Sequence, residues 1–329
     1  MKRTTSSILG ICVIILSLAA SQACKERTSP ETRVNHAKPV ELNARFEAYR
    51  IFVDVPIQSG DTLSFFTDTG GGLFVLGDAI DRIGWSDSVT LALRGIAVDT
   101  DFPEPLGTAD RRVPIYRPEK APAIEFGDGM LGQAWFADRV WTFDYPKQKL
   151  LLHQAAPELE AEAHKVALGF RNDSTGARLL SFPRIAIVVD GDSLDMLLDT
   201  GATVYLSAET QRELNDGSPA VQATSFITSK IFERWTSRHP QWPVIQNADE
   251  NVAGMAMIRV PEVTIADFTI GPVWFTERPD ANFHEYMSQW MDRPVEGAIG
   301  GNAFRFFKIV MDYPAAKAHF MLGDNFENH

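Results

Sequence analysis

Two short stretches of this chain carry residue types suited to acid–base chemistry. Asp68-Thr69-Gly70 follows the apolar run Phe65-Phe-Thr, and Asp199-Thr200-Gly201 follows Met196-Leu-Leu. A single such tripeptide is explained by an ordinary strand end turning on glycine. Two copies behind two buried-looking strands are far less probable by chance. Carboxylates brought face to face cannot both ionise easily, so they share one proton. One then takes a proton from a water while the other, protonated, donates to the carbonyl under attack. Asp68 and Asp199 are therefore the candidate catalytic pair. Gly70 and Gly201 would let the backbone approach the carboxylates closely. The hydroxyls of Thr69 and Thr200 could hydrogen-bond across the pair and fix it.

Both motifs sit inside a longer internal repeat. Residues 60–70 align without a gap on 191–201, six of the eleven positions being identical. Residues 128–152 align on 296–320 with seven of 25 identical, including Gly132/Gly300, Phe136/Phe304 and the whole of Asp-Tyr-Pro at Asp144 and Asp312. The same blocks in the same order imply two related lobes. Asp68 to Gly132 is 64 residues and Asp199 to Gly300 is 101, so the second lobe carries about 37 more. Within that extra length, apolar residues return every three or four positions over 207–215 and 226–234, which predicts helices. Elsewhere short alternating runs, such as Ile185-Ala-Ile-Val-Val, Val263-Thr-Ile and Val273-Trp-Phe, predict strands. Gly60-Asp61, Gly191-Asp192 and Gly271-Pro272 mark turns between them. The predicted organisation is a signal peptide over 1–23, a polar tether over 24–45 and an N-terminal lobe over 46–155. An Ala/Glu-rich linker without strand character follows over 156–168, then a C-terminal lobe over 169–329.

With the blocks aligned, the chain resembles the aspartic proteases over nearly all of its length beyond the leader. That family's signature is an apolar strand, Asp-Thr/Ser-Gly and small residues, followed later in each lobe by two apolar residues and a glycine before a short helix. Here the matching residues are Asp68-Thr-Gly-Gly with Met130-Leu131-Gly132, and Asp199-Thr-Gly-Ala-Thr203 with Ala298-Ile299-Gly300. The second lobe looks especially like the retropepsin-like proteases, whereas two lobes in one chain look like pepsin. The resemblance implies a mostly β, bilobal acid-protease fold, two related β-barrel lobes with an Asp-Thr-Gly loop in each. It also implies peptide hydrolysis in the cleft between lobes, a peptide or protein substrate, no cofactor, and a monomer with pseudo-twofold lobes. Two features depart from the family pattern. Gly71 and Ala202 stand where pepsin-like enzymes have a hydroxyl residue. The flap tyrosine motif is not legible, because Tyr116 lies in a non-matching Val113-Pro-Ile-Tyr-Arg-Pro setting. The alternative reading is a protease-like module that binds a peptide or glycan at the cell envelope without cutting it. Intact Asp-Thr-Gly in both lobes argues against that alternative. A further alternative makes one lobe chiefly structural and catalysis dependent on a homodimer.

Composition bounds the partners. The 329 residues are 45% apolar and 22% charged, ordinary for a globular chain. Acidic residues outnumber basic ones 43 to 31, a net charge of −12 that argues against nucleic acid. Two cysteines cannot make a disulfide scaffold, and seven scattered histidines lack metal-ligand spacing, so no metal is expected. Residues 127–132 spell the dinucleotide-binding fingerprint, but its repeat counterpart lacks the first glycine, which favours a structural role. No Gly-x-Ser-x-Gly elbow or His-Glu-x-x-His zinc motif occurs, and His284-Glu285 reads as a surface pair. Trp235, Trp242, Trp274 and Trp290 read as core rather than as cleft lining.

At the start of the chain, Lys2 and Arg3 precede the apolar stretch 8–20 and then Ser21-Gln-Ala-Cys24. That order reads as a secretory signal. Cys12 lies within it, leaving Cys24 as the one cysteine of the mature chain. Its position resembles the lipobox of bacterial lipoproteins, with Ser21 where leucine is usual. The expectation is an exported protein of the cell envelope or periplasm, touching a membrane only through a lipid anchor on Cys24. The polar residues after it, with Pro30 and Pro39, read as a tether.

Overall fold

The computed structural model describes residues 38–57, 60–85, 88–90, 93–97, 112–119 and 125–324. The signal segment, Cys24 and the first part of the tether lie outside the described residues. The chain is mostly β, and its described strands form three large sheets and one two-stranded ribbon.

Each sequence repeat generates the same strand pairings. An antiparallel hairpin opens each one, Arg50–Pro56 with Thr62–Thr67 and Arg184–Val189 with Asp192–Leu198. The turn of the second hairpin falls on Asp190 and Gly191, both at positive φ. The second strand of each hairpin ends at the candidate aspartate. That strand runs parallel to a short buried one, Gly129–Leu131 or Gly297–Ile299. The short strand is in turn antiparallel to Phe74–Leu76 or Ser225–Thr228. These last two run parallel to Arg112–Tyr116 and Val273–Arg278, respectively. A short helix follows each buried strand, Gln133–Phe136 and Gly301–Phe304. Strands 62–67 and 192–198 read as near-continuous apolar runs toward their ends because both faces are covered there. Phe65, Phe66, Met196 and Leu198 have no exposure at all.

The third large sheet has six strands and draws on both repeats. Its order is Val40–Glu41, Lys149–His153, Val140–Asp144, Phe307–Asp312, Lys317–Leu322 and His164–Ala167. At its centre Val140–Asp144 pairs antiparallel with Phe307–Asp312 through five residue pairs, from Val140↔Asp312 to Asp144↔Lys308. The Asp-Tyr-Pro turns explain both flanking hairpins. Asp144 accepts the Lys147 N–H at 3.0 Å and Asp312 accepts the Ala315 N–H at 2.9 Å, each bridging its proline to close a matching turn. Both tyrosines are buried and cross over, each packing on the short helix of the other repeat. The ring of Tyr145 lies 5.9 Å from that of Phe304, and Tyr313 stacks over Phe136 at 6.5 Å.

Several sequence expectations shift in position. The tether expected over 24–45 already contains strand Val40–Glu41, and strand Ala44–Glu47 begins before residue 46. The linker expected over 156–168 ends in strand His164–Ala167. These two segments are equivalent: each is the outer edge of the six-stranded sheet, next to 149–153 and 317–322. Such short edge strands are fixed by backbone hydrogen bonds to their neighbours, so their own side chains carry little apolar signal. The helix expected over 207–215 forms as Ala208–Leu214, with Ser207 capping Thr210 N–H at 3.1 Å. The one expected over 226–234 instead splits into strand Ser225–Thr228 and helix Ser229–Arg238. Phe226 is held between two sheet partners, and only Ile231, Phe232 and Trp235 form the buried helical face. Trp235 is core, whereas Trp290 is 40% exposed. His284 pairs with Glu296, at 2.8 Å, rather than with its neighbour Glu285.

Candidate active site

The repeated pairings deliver Asp68 and Asp199 to matching places. Asp68 N–H donates to Leu131 O at 3.0 Å and Asp199 N–H to Ile299 O at 2.9 Å, extending the parallel pairings by one bond. Each carboxylate then accepts the N–H two residues on, Gly70 to Asp68 Oδ1 and Gly201 to Asp199 Oδ1, both at 2.8 Å. The two threonines lock the loops to each other across 131 residues of sequence. Thr69 Oγ1 donates to Leu198 O at 2.7 Å and accepts the Thr200 N–H at 3.0 Å. Reciprocally, Thr200 Oγ1 accepts the Thr69 N–H at 3.1 Å and reaches Thr67 O at 3.4 Å. Both threonines are buried, so these bonds form away from competing water.

Glycine is required where each loop faces the other aspartate. A Cβ on Gly70 would lie 2.8 Å from Asp199 Cγ, and one on Gly201 would run into the Asp68 carboxylate. Each carboxyl thus rests against the opposite loop's backbone. Asp199 is buried and Asp68 half-buried. Burial, then the charge of Asp199, then the hydrogen bond between the two carboxyls, hold Asp68 well above the usual carboxylate range. Burial also raises Asp199, but the hydrogen bond from Asp68 and the N–H groups of Gly201 and Ala202 oppose it. Burial raises both carboxyls, which favours a single proton held between them. The pair titrates as a unit.

Beside Asp199 opens a cavity of about 350 Å³, lined by Gly70, Leu197, Phe226, Arg278, Asn282, Phe283, Tyr286 and Met287. None of these except Gly70 was marked by sequence reading. Residues 282–290 form a wide π turn followed by a 3₁₀ turn, which a 3.6-residue period does not describe. Arg278 had one legible signal, a cation closing the apolar strand Val273–Arg278. Tyr116 ends its strand half exposed, with its ring 5.2 Å from that of Phe74, and does not line this cavity. Among the described residues no three His, Cys, Asp or Glu side chains are grouped to hold a metal ion. Among them, too, no helix is long and apolar enough to cross a membrane.

No protein-family description and no curated protein sequence matches the chain. A solved structure similar to it is the aspartic proteinase from Irpex lacteus, at 11% identity and a TM-score of 0.46, covering 87% of this chain and 98% of that one.

Proposed function

We propose that this chain is an aspartic endopeptidase of bilobal acid-protease fold, with each sequence repeat forming one lobe. The observation that carries this reading is the reciprocal locking of the two Asp-Thr-Gly loops, which presses the two carboxyls together. Ionised Asp199 removes a proton from a water held between the carboxyls, and the water oxygen bonds to the peptide carbonyl carbon. Asp68 gives its proton to the carbonyl oxygen, forming a neutral tetrahedral diol. Proton transfer to the nitrogen lets the C–N bond break, releasing acid and amine and returning one proton to the pair. The low-polarity surroundings that raise both carboxyls also strengthen these transfers. The enzyme is exported, anchored through a lipid on Cys24, and acts as a monomer on peptides or proteins at the cell envelope or in the periplasm. The locked loops support this over the non-cutting alternative, since peptide binding alone does not call for two carboxyls pressed together at a desolvation cost.

The test is incubation of the mature protein with a mixed peptide library, with and without the transition-state mimic pepstatin. Cleavage that the mimic suppresses is expected. Absence of cleavage, or cleavage indifferent to the mimic, would overturn the reading.

A further inference from the structure

The cavity beside Asp199 is not a plain apolar hole. Its walls are Leu197, Phe226, Phe283 and Met287, but Arg278 lines it too. The Arg278 guanidinium lies 4.2 Å above the Phe226 ring, and the residue is only 8% exposed. Behind it, Nη2 donates to Asp249 at 2.5 Å, and Nη1 donates to Glu277 O at 2.8 Å. Asp249 is itself buried and also accepts the Asn251 N–H. A guanidinium carries five N–H donors, so two such bonds leave donors over on a group that borders the cavity. The charge, in contrast, is already balanced by Asp249.

From this arrangement we infer that the cavity is a substrate subsite selecting a long side chain that ends in a neutral hydrogen-bond acceptor, glutamine above all. The inference rests on the peptidase reading and adds a specificity to it. An apolar stem fits between Leu197, Phe226 and Met287, while an amide oxygen meets the remaining guanidinium N–H groups. A methionine of similar length fills the same space and leaves those donors unpaired in a desolvated pocket. A glutamate offers the same oxygen but adds a negative charge. It would stand beside the singly ionised aspartate pair, and Asp249 has already neutralised Arg278. Methionine and glutamate therefore fail for different reasons, and glutamine meets both demands. Discrimination of this kind comes from buried donors left unsatisfied by the wrong ligand.

The experiment uses matched peptides in an alanine-rich frame, with glutamine, methionine or glutamate placed on either side of the scissile bond. On at least one side, glutamine should raise kcat/KM by roughly ten-fold or more over methionine and over glutamate. The same ranking should appear as binding affinity to an Asp68→Asn protein, measured by calorimetry. Replacing Arg278 and Asp249 together, as Arg278→Met with Asp249→Asn, leaves no lone buried charge and should bring the glutamine-to-methionine ratio close to one. The wild-type ratio decides the matter even if that double variant does not fold. Cleavage with methionine equal to or above glutamine on both sides overturns the subsite and leaves the peptidase reading intact. Glutamine-selective binding without any cleavage upholds the subsite and overturns the peptidase reading. Neither binding nor cleavage of any peptide overturns both.

Discussion

Two buried carboxyls on one proton tie activity to pH and to stability at once. Only the singly protonated pair has both an acid and a base, so rate against pH should trace a bell between two apparent pKa values. Gly71 and Ala202 supply no side-chain donor to the charged form, so the pair keeps its proton to higher pH than hydroxyl-bearing loops would allow. The bell should centre at roughly pH 4–6.5, and Ala202→Ser should move its acid limb downward. Initial rates on a peptide without titratable side chains check this. An optimum below about pH 3, or an acid limb that moves upward, would refute it. Asp68→Asn and Asp199→Asn should each abolish turnover, with the double variant scarcely worse, because the two form one unit. The stability effect runs the other way. Asp68 binds its proton more tightly folded than unfolded, so stability falls as pH rises from the ordinary carboxylate pKa through the raised one. Asp68→Asn does not titrate and escapes that loss. Its Tm should therefore exceed the wild-type value by a margin that widens from about pH 4 to 7.

At the scale of elements, the two loops hold each other rather than themselves. Thr69→Val keeps the side-chain volume but leaves Leu198 O and the Thr200 N–H unpartnered in a buried site. At about 1–3 kcal/mol for each orphaned group, urea denaturation should show a loss of about 2–6 kcal/mol. Thr69→Ser retains the hydroxyl and should lose under about 1 kcal/mol. Equal losses would mean that the threonine methyl, not its hydrogen bonds, stabilises the loop. The glycines separate in the same way. Gly201→Ala drives a methyl into the Asp68 carboxylate and should eliminate activity, whereas a Cβ on Gly72 meets nothing within 4 Å, so Gly72→Ala should retain it. Peptidase assays on the two purified variants make the comparison.

For the molecule as a whole, the six-stranded sheet is the joint. Five paired residues between 140–144 and 308–312 and the crossed Tyr145 and Tyr313 packing make each repeat complete the other's core. The described residues should therefore unfold in one cooperative step. Trp141 in the first repeat and Trp235 in the second are both fully buried reporters. Proteins retaining only one of them as a fluorophore should give the same urea midpoint. Two separated midpoints would mean that the repeats fold independently. The anchor proposal belongs to this scale as well: Cys24→Ser should shift the exported protein from the membrane fraction to the soluble one.

The aspartates, the loop glycines and the repeat were legible in the sequence because each is local: a strand running into Asp-Thr-Gly, written twice. So were the strands at 185–189 and 263–265, whose alternation reports a sheet face directly. Outside the repeated motif, what the sequence did not carry was what distant partners set. Strands 40–41 and 164–167 exist only as edges offered by neighbours, and Phe226 became strand rather than helix because two other strands already flanked its place. Arg278 and Tyr286 meet beside Asp199 from separate elements, and Asp249 backs Arg278 from a third, without a shared spacing to announce them. Periodicity records which face of an element is covered. Which residues cover it, and that two distant carboxyls come to share one desolvated place, are decided only when the chain closes on itself.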